Sequence, residues 1–205
     1  MGRLTRHGVF GGTFDPIHIG HLVAADEARA ALGLSKVIFA PAARPPHKEG
    51  EAVTGAYHRA RMLELALARD DAMVASRVDL DRPGPHYTVD MLRLLATDLG
   101  RDSEIYLIMG TDSLVDLPTW REPAVLVHLA WPTVVTRPGY VPDLDALEDA
   151  IPGLRQRVRF VPTPLVGVSS SDIRQRVARG RPFRYLVPEG VAEYIRRHRL
   201  YAGAE

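Results

Sequence analysis

Cysteine is absent from the 205 residues, which excludes disulfides, thiolate metal sites and a cysteine nucleophile. Lysine is nearly absent: only Lys36 and Lys48 occur among the 26 basic residues, the others being arginine, a bias that genomic base composition explains most simply. There is no excess of charge of either sign. The formal net charge is +1, so charge alone points neither to nucleic acid nor to a membrane surface. Long apolar runs are missing too. Val37-Ile38-Phe39-Ala40 is far shorter than the roughly 20 residues a membrane helix needs. The basic residues of Met1 to His7 are followed by a glycine pair and Asp15 rather than by a signal-peptide core. These absences predict a soluble, cytoplasmic protein.

With 46% hydrophobic and 25% charged residues, the composition is that of a globular chain able to bury a sizeable core. No repeat, low-complexity tract or dividing linker is visible, so one domain over 1–205 is expected, with a C-terminal helical portion from about 169. Along it, apolar strand-like segments alternate with helical patterns. Strands are expected at Val9-Phe10, Lys36 to Ala40, Met73 to Val78, Ile105 to Met109, Thr133 to Thr136 and Arg159 to Pro162. Helices are expected from Pro16 to Leu32, with Ile19, Leu22, Val23, Ala30 and Leu32 inward, from Thr54 to about Arg69, and from Thr88 to Leu99. Further helices are expected over Ala124 to Leu129, Asp143 to Ala150, Ser169 to Arg179 and Pro188 to His198. Thr54 and Thr88 stand where caps belong, and Gly33, Gly100 and Gly180 where helices stop. Such alternation implies βαβ units: an α/β, Rossmann-like, doubly wound and mostly parallel sheet. Ligands of these sheets bind beyond the carboxyl ends of the strands, where the strand order reverses.

Four loops that follow strands carry unusual residues. In the first, Gly11-Gly12-Thr13-Phe14-Asp15-Pro16 turns strand one toward a helix. The glycines permit positive φ and close approach of a ligand to the backbone, and the helix start offers free N–H groups and a positive dipole end for phosphate. His18 and His21, three apart, share one face of the first turns, and Gly20 between them leaves room for something large. Two imidazoles there can donate hydrogen bonds to a pentacoordinate phosphoryl group. The alternatives are an ordinary turn, or a metal site completed by His7 or His47. The glycine spacing is neither the dinucleotide fingerprint nor a P-loop.

Near the other end, Val168-Ser169-Ser170-Ser171-Asp172-Ile173-Arg174 places hydroxyls, free N–H groups and a guanidinium at another helix start. That combination suits a polyphosphate, although one serine as a cap and a solvated arginine would read the same way.

Together these segments resemble the nucleotidyltransferase superfamily. Gly12 to His21 is similar to its signature with a His-x-Gly-His core. Val168 to Arg174 is similar to its second signature, usually Ile-Ser-Ser-Thr-x-Ile-Arg, from which Val168 and Ser171 depart mildly. Within the superfamily the chain most resembles the bacterial nicotinate-nucleotide adenylyltransferases. Pro45-Pro46-His47-Lys48 looks like that family's substrate loop, and Tyr87-Thr88-Val89-Asp90-Met91-Leu92 like its Tyr-Thr-x-Asp-Thr-Leu element, with Met91 the departure. Gly110-Thr111-Asp112, Trp120 and Arg137-Pro138-Gly139 look like its Gly-x-Asp, tryptophan and Arg-Pro-Gly positions. The resemblance covers residues 8 to 201.

It implies adenylyl transfer from ATP to nicotinate mononucleotide, giving nicotinate adenine dinucleotide and pyrophosphate. His18, His21 and Arg174 would be catalytic. ATP would be held by Gly11, Gly12, Thr13, Phe14, His18, His21, Gly110, Asp112, Ser169, Ser170, Ser171, Ile173 and Arg174. The acceptor nucleotide would meet Asp15, His47, Lys48, Thr88, Trp120, Arg121 and Arg137. Mg²⁺ would come bound through substrate phosphates, with no protein ligand. Another phosphate acceptor such as phosphopantetheine, or a nucleotide sensor without turnover, is the competing reading. The arginine-rich stretch from Arg174 to Arg199 is interrupted by Glu189 and Glu193 and lies on expected helices, so no nucleic-acid partner is expected; nor is a membrane.

Overall fold

The computed structural model describes residues 4–43, 53–136 and 142–203. Six strands, β1 (Thr5–Gly12), β2 (Lys36–Pro41), β3 (Met73–Ala75), β4 (Ser103–Gly110), β5 (Trp131–Thr136) and β6 (Arg159–Pro162), form one sheet. Their order is β3-β2-β1-β4-β5-β6, and every neighbouring pair is parallel. A parallel sheet must be covered on both faces, so its central strands read as unbroken apolar runs. β2 is buried from Val37 to Pro41 and β4 from Ile105 to Met109.

The covering helices are α1 (Ile19–Leu32), α2 (Ala56–Leu67), α3 (Thr88–Leu99), α4 (Thr111–Asp116), α5 (Pro123–Leu129), α6 (Leu144–Ala150), α7 (Leu154–Arg157), α8 (Ser170–Ala178) and α9 (Glu189–Arg197). The period of two along each strand divides the core. Phe10 and Phe39 point into one apolar cluster with Met62 and Leu63 of α2, Ile173 of α8 and Ile195 of α9. Val9 and Ile38 point into the other, with Leu92 of α3 and Leu126 of α5. Among the described residues no helix is long and apolar enough to cross a membrane.

Several local expectations shift. The buried residues of α1 are Ala24, Ala25 and Ala28; the expected Ile19, Leu22 and Leu32 pack half-buried against the same cluster, and Ala30 is exposed. Alanines weigh little in a search for large apolar residues, yet they let a helix lie close on a sheet. Thr54 does not cap α2, whose N-cap position is Gly55. Thr88 is the first residue of α3, after Tyr87 at the N-cap position. β3 stops at Ala75, short of Val78. The short helices α4 and α7 have too few turns to show a period. Gly33 and Gly180 do end α1 and α8 in the left-handed region, at φ 61 and 63.

The chain winds outward from β1 through β2 to β3, and from β4 through β5 to β6. The strand order therefore reverses between β1 and β4, and a crevice opens beyond their carboxyl ends.

Candidate active site

β1 continues through Gly11 and Gly12, so the glycine pair closes the strand rather than opening the turn. Neither glycine has positive φ; Phe14, at φ 49, takes that conformation. The glycines serve packing instead. A Cβ on Gly12 would lie 3.0 Å from the Phe14 ring, and one on Gly11 would look the other way, toward Met91 of α3 at 3.8 Å. Gly20 also differs from expectation. A Cβ there would meet the His18 ring at 3.1 Å and Val168 at 3.2 Å, so the space is taken by the protein's own side chains.

His18 occupies the N-cap position of α1 with extended backbone, and its N–H donates to Nδ1 of His21 at 3.2 Å. An Nδ1 that accepts is unprotonated, so neutral His21 carries its proton on Nε2. The two rings stack with centroids 3.7 Å apart and planes 21° from parallel. Phe10 and Phe14 present ring edges to His21 at 5.8 and 5.1 Å. Burial lowers the His18 pKa from 6.5 to about 4. Burial, then the neighbouring His18, holds His21 well below its usual value. Both imidazoles are therefore neutral at physiological pH, and Nδ1 of His18 is buried without a partner among the described residues.

The second motif is joined to this turn. Ser169 caps α8, its Oγ accepting from the Asp172 N–H at 3.1 Å. The Ser170 hydroxyl donates to the Pro16 carbonyl at 2.9 Å, and Arg174 Nη1 to the Asp15 carbonyl at 2.7 Å. Nη2 of Arg174 lies 3.4 Å from the Ser171 hydroxyl. Arg174 thus stands beside the histidine turn with its side chain already aimed. Ile173 and Phe14, at 0% and 2% exposure, put their side chains into the core and leave only main chain for a nucleotide.

A cleft of about 560 Å³ opens here, lined by His18, Gly20, His21, Gly110, Thr111, Asp112, Val168, Ser169 and Ser170 among others. It lies at the switch point, between the start of α1, the end of β4 and the start of α8. Among its described lining residues Asp112 is the one carboxylate. A hollow of about 690 Å³ among Arg176, Phe183, Arg184 and Arg196 is larger, but contains none of these residues.

The expected acceptor residues are less tightly gathered. The Arg121 guanidinium lies over the Tyr87 ring at 5.0 Å, bringing it beside Thr88 at the start of α3. Arg93 of α3 pairs with Glu122 at 2.7 Å, tying the same two segments. Trp120 is half-buried and packs against the cluster under α3 and α5. Asp15 departs from its expected role. Its carboxylate is 3% exposed and accepts from the Tyr201 hydroxyl at 2.6 Å and the Thr54 N–H at 3.1 Å, so its oxygens face the protein and not a ligand. His47, Lys48 and Arg137 lie outside the described residues.

Two residues that the sequence reading passed over converge on the same turn. Arg59 is 1% exposed and Tyr201 half-buried. Arg59 had a signal: it falls on the inward stripe of α2 with Met62, Leu63 and Ala66, where a charge needs an explanation. Tyr201, after the last helix, had none.

A model of the cytidylyltransferase-like family matches residues 9–176. A protein of Thermomicrobium roseum named "Probable nicotinate-nucleotide adenylyltransferase" is 50% identical, over 98% of this chain and 94% of that protein. One of Symbiobacterium thermophilum with the same name is 47% identical over 98% of both. Among solved structures, the Plasmodium falciparum nicotinic acid mononucleotide adenylyltransferase complexed with NaAD superposes with a TM-score of 0.77, over 96% of this chain and 97% of that one. Its identity is 18%, so that likeness concerns the fold.

Proposed function

The chain belongs to the nicotinate-nucleotide adenylyltransferases of the cytidylyltransferase-like family, and from that premise we propose how its crevice carries out the transfer. The reaction moves the adenylyl group of ATP onto nicotinate mononucleotide, releasing pyrophosphate and forming nicotinate adenine dinucleotide, in NAD biosynthesis. A bond forms between an acceptor phosphate oxygen and the α-phosphorus. The bond from that phosphorus to the bridging oxygen breaks, and its electron pair leaves with pyrophosphate. The acceptor phosphate is already a nucleophile at neutral pH, so no general base is needed. Alignment and stabilisation of charge suffice.

The observation that carries the residue assignment is the pair of stacked, neutral imidazoles on the same turn that Arg174 and Ser170 grip from α8. Neutral imidazoles donate without repelling one another, and the dianionic character gained in transfer strengthens each bond. His18 and His21 serve the reacting phosphate. Arg174, Ser169, Ser170, Ser171 and the Thr13 hydroxyl hold the triphosphate, with main chain of Gly11, Gly12, Phe14 and Ile173 behind it. Gly110 and Asp112 meet the ATP ribose. The start of α3 at Thr88, with Trp120 and Arg121, takes the pyridine carboxylate and ring. His47, Lys48 and Arg137 complete the acceptor side on the strength of the sequence resemblance.

The described lining of imidazole and hydroxyl groups with a single carboxylate offers no protein cage and would fit Mg²⁺ brought in by the substrate. When bound, the ion neutralises charge on the triphosphate; Arg174 and the histidines orient it. The setting for this chemistry is the cytoplasm, where ATP and the mononucleotide meet. The test is pyrophosphate release with ATP and a panel of acceptors, with the dinucleotide identified chromatographically. Turnover with nicotinate mononucleotide is expected. Turnover only with phosphopantetheine or a sugar phosphate would overturn the assignment.

A further inference from the structure

Burying a guanidinium is costly unless its N–H groups are satisfied. Arg59, at 1% exposure, hydrogen-bonds no carboxylate among the described residues and instead donates to four main-chain carbonyls. Nε reaches Thr54 at 2.8 Å, Nη1 reaches Thr13 and Ala42, each at 2.8 Å, and Nη2 reaches Ala43 at 2.9 Å. These carbonyls belong to three separate pieces of chain: the turn after β1, the end of β2 and the approach to α2. Nearby, the Tyr201 hydroxyl and the Thr54 N–H hold the two oxygens of Asp15, in that same turn. The Asp15 main-chain carbonyl and that of Pro16 face the other way and bind Arg174 and Ser170.

The turn from Thr13 to Pro16 is therefore gripped on two sides. On the α8 side, Ser170 lines the cleft. The Arg59 and Tyr201 side faces the interior and does not line the cleft. We propose that Arg59, with Tyr201 as a second arm, is a positioning residue that fixes the Thr13–Pro16 turn, and through it the orientation of His18. One bond of the planar fork holds Thr13, and the other three tie that point to the end of β2 and the approach to α2, which neither a lysine nor a neutral side chain can reproduce. This inference rests on the assignment of His18 above. Displacement of a catalytic group by about 1 Å can cost on the order of 10² in rate, so the effect falls on kcat. The nucleotide still finds its phosphate-binding groups, and KM moves little.

The experiment compares wild type, R59K and Y201F in pyrophosphate release, each assayed well below its own Tm. R59K is expected to lose about 10- to 100-fold in kcat, with the ATP KM within about threefold of wild type. Y201F, which removes one oxygen, is expected to lose a few-fold in kcat in the same pattern. A merely structural role would lower Tm and leave kcat of the folded fraction alone. A folded R59K with wild-type kcat, or one whose loss lies wholly in KM, overturns the proposal. If R59K does not fold, Y201F decides: unchanged kcat overturns it. A wild type without nicotinate mononucleotide activity would instead sink the functional assignment, because the comparison among variants uses whichever acceptor the wild type turns over.

Discussion

On the α8 side of the crevice, the groups proposed to meet phosphate are held by bonds between distant parts of the chain: Ser170 to Pro16 across 154 positions and Arg174 to Asp15 across 159. On the α3 side, the elements proposed to meet the acceptor are joined over shorter distances. Arg93 pairs with Glu122 across 29 positions at the exposed surface, and Arg121 rests on Tyr87. The triphosphate and its leaving group are the same for every acceptor, so that side can be rigid and can be formed only when the whole chain has folded. Acceptor choice is made by loops and helix starts that differ without disturbing the sheet. The proposed assignment thus puts phosphate chemistry and acceptor choice on opposite sides of one switch point.

The largest effect is expected from the rigid side. H18A should lower kcat about 10²- to 10³-fold, the usual loss for one donor aimed at developing charge, with a smaller change in the ATP KM. Single-turnover measurement of dinucleotide formation checks it, and near-normal turnover would remove His18 from the chemistry.

Next in size is a pH effect on stability. Unfolding lets His18 bind a proton that the folded site excludes, because its pKa rises from about 4 in the folded protein to 6.5. Stability is complete above pH 6.5 and declines as pH falls from there toward 4, by roughly 3 kcal/mol for this one group. His21 is lowered in the same direction and adds to the loss. Tm recorded from pH 7.5 to pH 4.5 should fall more steeply for wild type than for H18A; parallel curves would show that the stacked pair does not titrate with unfolding.

The α3 side should reveal itself in acceptor choice. Nicotinate mononucleotide should exceed the nicotinamide form in kcat/KM by about ten- to a hundredfold. An amide directs its own donors at N–H groups that suit a carboxylate, and each polar group left unpaired costs roughly 1–3 kcal/mol. W120A should weaken both acceptors by similar factors, whereas disturbing the start of α3 at Thr88 should narrow the gap between them. Equal use of the two acceptors by the wild type would contradict this division of labour.

The smallest effect of the set separates charge from geometry at α8. R174K keeps the charge but loses the planar fork, and should raise the ATP KM about tenfold or less. Unchanged ATP kinetics would place Arg174 outside the phosphate site.

What could be read in advance follows the same division. The proposed phosphate side is written in two short contiguous motifs, and a helix start beside glycine carries its own physical meaning, so His18, His21, Ser170 and Arg174 could be singled out before the structure brought their segments together. The alternation of strands and helices made the parallel sheet legible as well, and Ile19, Leu22 and Leu32 of α1 do pack against the core, but Ala24, Ala25 and Ala28 were passed over because alanines carry little apolar weight. Asp15 was misassigned because a carboxylate in a site loop looks like a ligand group until Tyr201, 186 positions away, is seen to occupy it. Contacts of that span leave no trace in local pattern. Arg59 was visible as a charge on an apolar stripe, but its four partners are carbonyls, which no side-chain pattern records.

The alanine face of α1 has a consequence for the depth of the crevice. Ala25 and Ala28 are completely buried, and Ala24 nearly so. Side chains this short fix how low the helix rides on the sheet, and its first turn carries His18 and His21. The helix is in effect a lever whose resting height is set by three methyl groups. A single larger residue, Ala25→Leu for example, would have to lift it. The imidazoles at its tip would then rise relative to Gly110 and Ser170, although nothing with reactive chemistry had been touched. Residues with no polar atom in their side chains thereby help set the distance between the groups assigned to the transfer.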